Sequence, residues 1–358
     1  MPQAHVEEIL NYLPLSSTMG TAGQPAPDQF AAIRAAGYEL VVNLAMPDST
    51  GALADEAELV AAQGMAYVHI PVVWEQPTLA DLDRFFDVMV ASSHCKVFVH
   101  CALNMRVSVF VLLYRCVHLG LRLQTAWADL QKIWTPNEVW QAFLYDALVH
   151  YRPQTIVADS YDRILERHSR WAGQVRADER ARYTAVLLEN LPAGAEVLDL
   201  GCGAGLPTTR QLAERFRVTG VDLSAEQIAA ARQNVPQATF LHADMTDLDF
   251  PANRFDAVTA FYSLIHLPRQ EQPGLLQAIA SWLRPGGLLV AALGTRSIEA
   301  DFNVDWLGAP MYWSSYDSQT NRRLVREAGL SIMEAREECA DEFGQPVTFL
   351  WVIAEKRV

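Results

Sequence analysis

Basic residues are scarce in this chain: 28 Lys and Arg stand against 42 Asp and Glu, a formal charge of −14. The deficit is even, with 8 basic and 15 acidic residues up to position 153 and 20 and 27 beyond it. So uniform an acidity lacks the footprint for wrapping nucleic acid or an anionic membrane. The five cysteines (95, 101, 116, 202 and 339) are odd in number and scattered, with no CxxC pair and no Cys/His spacing that collects zinc. Reduced thiols are expected, and no metal site. No run of about 18 uninterrupted apolar residues occurs, and the start, "MPQAHVEEILNYLPLSS", has no basic stretch leading into an apolar one. The expectation is a soluble, cytoplasmic protein, its oligomeric state left open.

What is present is apolar mass, 51% of 358 residues, enough for two well-filled domains at about 150 residues each. In the first half, "ELVVNLAM" (39–46), "AYVHIPVVW" (66–74) and "KVFVHCA" (96–102) read as buried strands, and 53–63, 79–91, 106–119 and 123–133 carry helical spacing. "TPNEVWQAFLYDALVHY" closes that half with a helix and breaks at Pro153, which sets domains at 1–153 and 154–358. Helices are then expected through "SYDRILERHSRWA" and "ADERARYTAVLLENL". The strands "AEVLDLG", "FRVTGVDL", "ATFLHAD", "FDAVTAFY" and "GLLVAAL" follow, with two more in "SIMEAREE" and "VTFLWVIAE". This is a doubly wound α/β order ending in a hairpin.

"VLDLGCGAGLPTT" (197–209) runs from a strand through Gly201, Gly203 and Gly205 into a helix, so backbone amides face whatever lies over the loop. Leu206 stands where a dinucleotide-binding fingerprint needs its third glycine, and no Walker lysine follows. Asp199 puts a carboxylate beside the loop, suited to a cationic amino group; Asp222 ends the next strand, where a carboxylate grips ribose hydroxyls; Asp244 suits an exocyclic amine and Met245 a flat ring. Three carboxylates at one sheet edge suit a cationic nucleoside and repel a pyrophosphate.

"VLDLGCGAG", "GVDLS", "HADM", "FDAVTAFYSLIHL" and "WLRPGGLLV", in this order, resemble the class I methyltransferases that use S-adenosylmethionine, over about residues 156–358. The resemblance implies a Rossmann-like seven-stranded sheet. Asp199 and the glycines would hold the methionine part, Asp222 the ribose, and Asp244 with Met245 the adenine, with Cys202, Leu223 and Phe261 as further candidate cofactor contacts. It also implies that Tyr161 closes over the cofactor. His266 is the candidate general base. Tyr262 and, in "DFNVDWLGAPMYWSSYD" (301–317), Trp306, Met311, Tyr312 and Trp313 are candidate walls for an apolar or cationic acceptor. The Asn-Pro-Pro-Tyr signature of many nucleic-acid and protein N-methyltransferases is replaced by "AFYS", which favours a small-molecule acceptor.

The first half, about 15–150, resembles the dual-specificity (tyrosine-type) phosphatases through "STMGTAGQPAPDQF", "YVHIPV" and "HCALNMRVS". That would make Cys101 the nucleophile, Arg106 the phosphate clamp and Glu75 the nearest candidate acid. The pattern departs from the family in two ways. Arg106 follows Cys101 after four residues where the family has five, although Ser108 keeps the family's hydroxyl place; and no aspartate follows the "HIPV" strand before the next helix. The expectation is a phosphatase-like α/β domain that binds a phosphorylated ligand without hydrolysing it, followed by a methyltransferase. A bifunctional phosphatase/methyltransferase and a non-catalytic cofactor-binding sensor stand as alternatives.

Overall fold

The computed structural model describes residues 5–357. They form two compact units, one ending at Arg152 and one beginning at Pro153.

The first unit is built on five strands: β1 (Leu13–Pro14), β2 (Met19–Ala22), β3 (Leu40–Asn43), β4 (Ala66–His69) and β5 (Val97–His100). Their order is β1-β2-β5-β3-β4, antiparallel only between β1 and β2. Helices α1 (Phe30–Ala35), α2 (Glu56–Ala62), α3 (Leu79–Ala91), α4 (Met105–Val117), α5 (Leu123–Gln131) and α6 (Glu138–Tyr151) complete it. All residues of β3 and β5 are buried, as parallel strands covered on both faces require. Thr78 and Asn137 cap α3 and α6 by accepting from the amides of Asp81 and Trp140. β1 is only two residues long and β2 reads MGTA, without the β-branched and aromatic run that marks the other three, so the three-strand reading missed both.

One buried polar pair fixes the central strands to α2. Glu56 Oε1 lies 2.7 Å from His100 Nε2, and both side chains are almost wholly out of water. Asn43 Nδ2 and Gln24 Nε2 also donate to Glu56. Burial pushes the Glu56 carboxyl up, but the hydrogen bond and charge of His100 outweigh it and hold it below its ordinary value.

The second unit opens with α7 (Pro153–Arg163), α8 (Leu165–Ala172) and α9 (Ala177–Asn190). Pro153 is the first residue of α7 and starts it, since proline's fixed φ and missing N–H suit that position. The single helix expected over 160–172 is therefore two, interrupted at Ile164. Then come β6 (Glu196–Leu200), α10 (Thr208–Ala213), β7 (Arg217–Asp222), α11 (Ala225–Asn234), β8 (Thr239–His242), β9 (Phe255–Ala260) and α12 (Gln272–Trp282). After β10 (Leu283–Gly294), the strands β11 (Ile298–Trp306) and β12 (Ala309–Ser315) pair only with each other. Helix α13 (Ser318–Glu327) leads to β13 (Leu330–Glu342) and β14 (Gln345–Lys356). The seven-stranded order is β13-β14-β10-β9-β6-β7-β8, parallel from β10 to β8 with β13 and β14 antiparallel. Chain direction across the sheet reverses at β6, so the crevice at its carboxyl end is where an open α/β sheet receives a ligand.

Removing one member of a buried charge pair strands the other. Glu56→Ala is expected to destabilise the protein by about 3 kcal/mol, read as an earlier urea transition, with Glu56→Gln intermediate. Because the folded carboxyl titrates below its ordinary value, this stabilisation is complete above about pH 4.5 and is lost as pH falls further.

Candidate active site

The loop after β6 turns through three left-handed glycines: Gly201 (φ 74°), Gly203 (φ 54°) and Gly205 (φ 77°). A side chain at Gly201 would meet Ser263 Cβ at 2.3 Å, so the loop must approach β9's end with bare backbone. Gly205 serves differently. It packs on Val235 and Ala231 and does not line the cavity, which corrects its expected place in the binding surface.

A cavity of about 400 Å³ opens over this loop, and Asp199, Gly201, Cys202, Gly203, Asp222, Leu223, Asp244, Met245, Phe261 and Tyr262 all line it. Asp199 is buried, with Oδ2 accepting from Thr209 Oγ1 (2.6 Å) and Oδ1 from Thr259 Oγ1 (2.8 Å). Burial pushes its carboxyl up in spite of those hydroxyls. Asp222 Oδ2 accepts from the Gly203 amide (2.8 Å) and Oδ1 from the Ser224 amide (2.9 Å). Burial raises it to about 6, which the two amides only partly oppose. Asp244 is held by the amide and hydroxyl of Thr246.

Tyr161 from α7 and His266 meet in the same cavity. His266 Nδ1 lies 2.9 Å from the Tyr312 carbonyl, which can only accept, so Nδ1 carries the proton. Nε2 then accepts from the Tyr161 hydroxyl at 2.8 Å. Burial lowers His266 to about 4 and pushes the Tyr161 phenol well up. Both ring nitrogens are engaged and no carboxylate waits to stabilise an imidazolium, so the expected general base is a poor one. Its geometry is that of a residue that orients Tyr161.

Of the acceptor candidates, Trp306 and Trp313 line the cavity; Met311 and Tyr312 are buried and do not, which corrects that expectation. Neighbours on a strand face opposite ways, so the pleat turns Tyr312 away from Trp313; Met311 shares Trp313's face but is wholly buried.

The sequence reading missed two arginines in the cavity wall, Arg176 and Arg180, both on or beside α9. Arg176 is tied to Glu179 and Glu342. Arg180 donates only to the carbonyls of Ala172 and Val175 and lies 4.6 Å over the Tyr262 ring; no carboxylate pairs with it among the described residues. Burial pulls its guanidinium below its ordinary value. In the stretch "RADERARY" (176–183) these arginines look like a solvated face, and no local signal separates them from Arg182.

In the first unit Cys101 is buried, and Asn104 (φ 65°) takes the left-handed place where such a loop would use glycine. Ser108 Oγ donates to the Met105 carbonyl and accepts from Trp134 Nε1. Arg106 is buried with its Cζ 5.5 Å over the Trp74 ring, and its Nε has no hydrogen-bond partner. Glu75 is exposed on a turn and makes no hydrogen bond or ion pair among the described residues.

A family model described as "Methyltransferase domain" matches residues 197–287. The 27-O-demethylrifamycin SV methyltransferase of Amycolatopsis mediterranei is 34% identical over 213 residues, 56% of this chain and 68% of that protein. The chain belongs to the methyltransferases. Other curated relatives are matched over about half their length, 51% and 45% in two cases. A solved Burkholderia thailandensis methyltransferase with bound S-adenosylhomocysteine is 20% identical over 63% of this chain and 93% of its own, with a TM-score of 0.45. Over the N-terminal region, a DUF442 structure from Shewanella putrefaciens CN-32 is 30% identical, covering 41% of this chain and 96% of its own, with a TM-score of 0.38. The class I methyltransferases that the sequence resembles use S-adenosylmethionine. The cavity fits it chemically: among the described residues a buried and a half-buried carboxylate, Asp199 and Asp222, without a cationic partner, and one buried cation, Arg180, without an anionic one, face a ligand that carries both charges.

Gly201→Ala is expected to cost at least about 1–2 kcal/mol in backbone conformation alone, with the clash against Ser263 in addition. A lowered melting temperature together with weakened S-adenosylhomocysteine binding checks it.

Proposed function

We propose that this methyltransferase methylates a small molecule, while its first unit binds a phosphorylated ligand and does not hydrolyse it. The observation that carries the first part is the set of desolvated, mutually unpaired charges around one glycine loop. Asp199 receives the cofactor's ammonium, Arg180 its carboxylate, Asp222 the ribose hydroxyls, and Asp244 with Met245 the adenine. When bound, the cofactor supplies a methyl group on a positively charged sulfur, already activated to leave. The protein's own contribution is then orientation and exclusion of water. Tyr161, fixed by His266, presents its phenolic oxygen to the acceptor.

For the first unit, Arg106 supports anion binding, because a buried guanidinium without a carboxylate needs an external one. Against hydrolysis stand the displaced arginine, the Ser108 hydroxyl committed to Met105 and Trp134, and Glu75 out in solvent.

S-adenosylhomocysteine is expected to raise the melting temperature, with Asp222→Ala abolishing the rise. Arg180→Met should weaken binding about 10- to 100-fold, the scale of hydrogen bonds to a charged group. Asp222 is charged only above about pH 6, so affinity should fall as pH drops through that value, and Asp222→Asn should be weak and flat across it. An unchanged wild-type midpoint at millimolar ligand would overturn the cofactor reading.

With para-nitrophenyl phosphate, the full chain and its Cys101→Ala variant should show the same negligible turnover. Cys101-dependent release of nitrophenol would establish the bifunctional alternative instead.

A further inference from the structure

The end of the cavity away from the strand carboxylates is walled by aromatic rings from two sources. Tyr161, His168 and Trp171 come from α7 and α8, Trp306 and Trp313 from the β11–β12 hairpin. Trp306 is the centre of the set, with its ring 5.5 Å from Trp171, 5.8 Å from Trp313 and 6.0 Å from Tyr161, each near perpendicular. Arg167 donates to the Leu307 carbonyl (2.8 Å) and pins the hairpin tip to α8. The wall is therefore a fixed surface with flat faces and edges to offer.

Resting on the methyltransferase reading, we propose that the acceptor is an uncharged, flat aromatic or heteroaromatic ring bearing an O–H or N–H, seated against Trp306 and Trp313. Flatness follows from the wall, since stacked or edge-to-face contacts need a second ring. Neutrality follows from the charges around it. A cation would gain from the tryptophan faces, but it would meet the same burial and the same Arg180 charge that hold His168 neutral, lowered to about 3. Among the described residues the lining carboxylates are otherwise engaged: Glu342 is paired with Arg176, Asp199 and Asp222 are held by their own donors at the strand ends, and Asp244 accepts from the amide and hydroxyl of Thr246. Asp301 and Arg296, exposed at the cavity's edge, oppose one another in sign. An anion would face the negative ring faces, and the buried cation of the wall that has no carboxylate among the described residues, Arg180, is the partner for the cofactor's carboxylate.

Two polar atoms in this wall have capacity to spare. The Trp171 indole N–H is buried and has no acceptor. The Tyr161 oxygen donates to His266 and keeps lone pairs for an O–H or N–H. A ring with a hydrogen-bond acceptor and a nucleophilic O–H or N–H satisfies both.

The test is binding to the full chain, followed by calorimetry and tryptophan fluorescence with and without saturating S-adenosylhomocysteine. Three probes separate shape from charge: 2-naphthol (flat, neutral), decalin-2-ol (neutral, not flat) and 2-naphthylmethylammonium (flat, cationic). 2-Naphthol is expected to bind at least tenfold more tightly than either of the others, and Trp306→Ala to weaken it at least tenfold while S-adenosylhomocysteine affinity stays within twofold. If Trp306→Ala does not fold, Trp313→Leu provides the same comparison. Equal or tighter binding of the ammonium overturns neutrality, equal binding of decalin-2-ol overturns flatness, and no binding of 2-naphthol overturns the proposal. Failure of S-adenosylhomocysteine to bind would strike the cofactor reading, whereas the naphthol series without it bears on the aromatic wall alone.

Discussion

The second unit depends on charges that are buried and kept from neutralising each other. Asp199 is answered by two hydroxyls, Asp222 by two backbone amides, and Arg180 by two carbonyls and a tyrosine face. Each arrangement satisfies hydrogen-bonding capacity without cancelling the charge. An ion pair between Arg180 and either aspartate would lower the cost of burial and leave the cavity with nothing to offer a zwitterion. Sheet order enforces the separation: Asp199 and Asp222 lie on the adjacent strands β6 and β7, and Arg180 comes from a helix that precedes both. What the ligand-free fold gives up in stability is recovered on binding.

The first unit shows what the same kind of chemistry looks like when part of it is satisfied internally. His100 next to Cys101 is locked by Glu56, and the Ser108 hydroxyl by Met105 and Trp134, so the polar groups flanking the thiol are committed before any ligand arrives. Among the described residues of this loop, Arg106 Nε, His100 Nδ1 and Asn104 Oδ1 are left without a partner, and of these Arg106 carries the charge. A loop in this condition can still attract an anion, but it has little left with which to move protons.

Much of this was legible in the sequence because it rests on local rules. Strands buried on both faces read as continuous apolar runs, and the glycines of 201–205 announce left-handed backbone wherever they sit. The misses have a different origin. Gly205 needs left-handed backbone as much as Gly201 does, but which of them faces a ligand is decided by α11, which packs against one. Tyr312 reads as part of an aromatic lid until the segment is known to be a strand, when the pleat sends it to the face opposite Trp313, and Met311 is taken up by packing that no local signal announces. Arg180 is chemically identical to the solvated arginines of its helix, and only the tertiary fold distinguishes it. Asn104 replaced a glycine that motif reading required, because asparagine tolerates the same conformation.

His266 shows how a site can assemble the right residue types and still exclude a mechanism. The imidazole is in the cavity, beside an ionisable hydroxyl, as a general base would be. Yet its Nδ1 proton is fixed by a carbonyl, its Nε2 lone pair is occupied by Tyr161, and the surrounding rings would leave a positive charge unsolvated. Proton abstraction there would add a further cation to a cavity wall that already carries Arg176 and Arg180. Catalysis by orientation avoids that conflict, since methyl transfer from an activated donor needs an aligned nucleophile more than a strong base. A neutral acceptor positioned by Tyr161 is consistent with both constraints, provided that the proton released as the new bond forms passes to water at the mouth of the cavity.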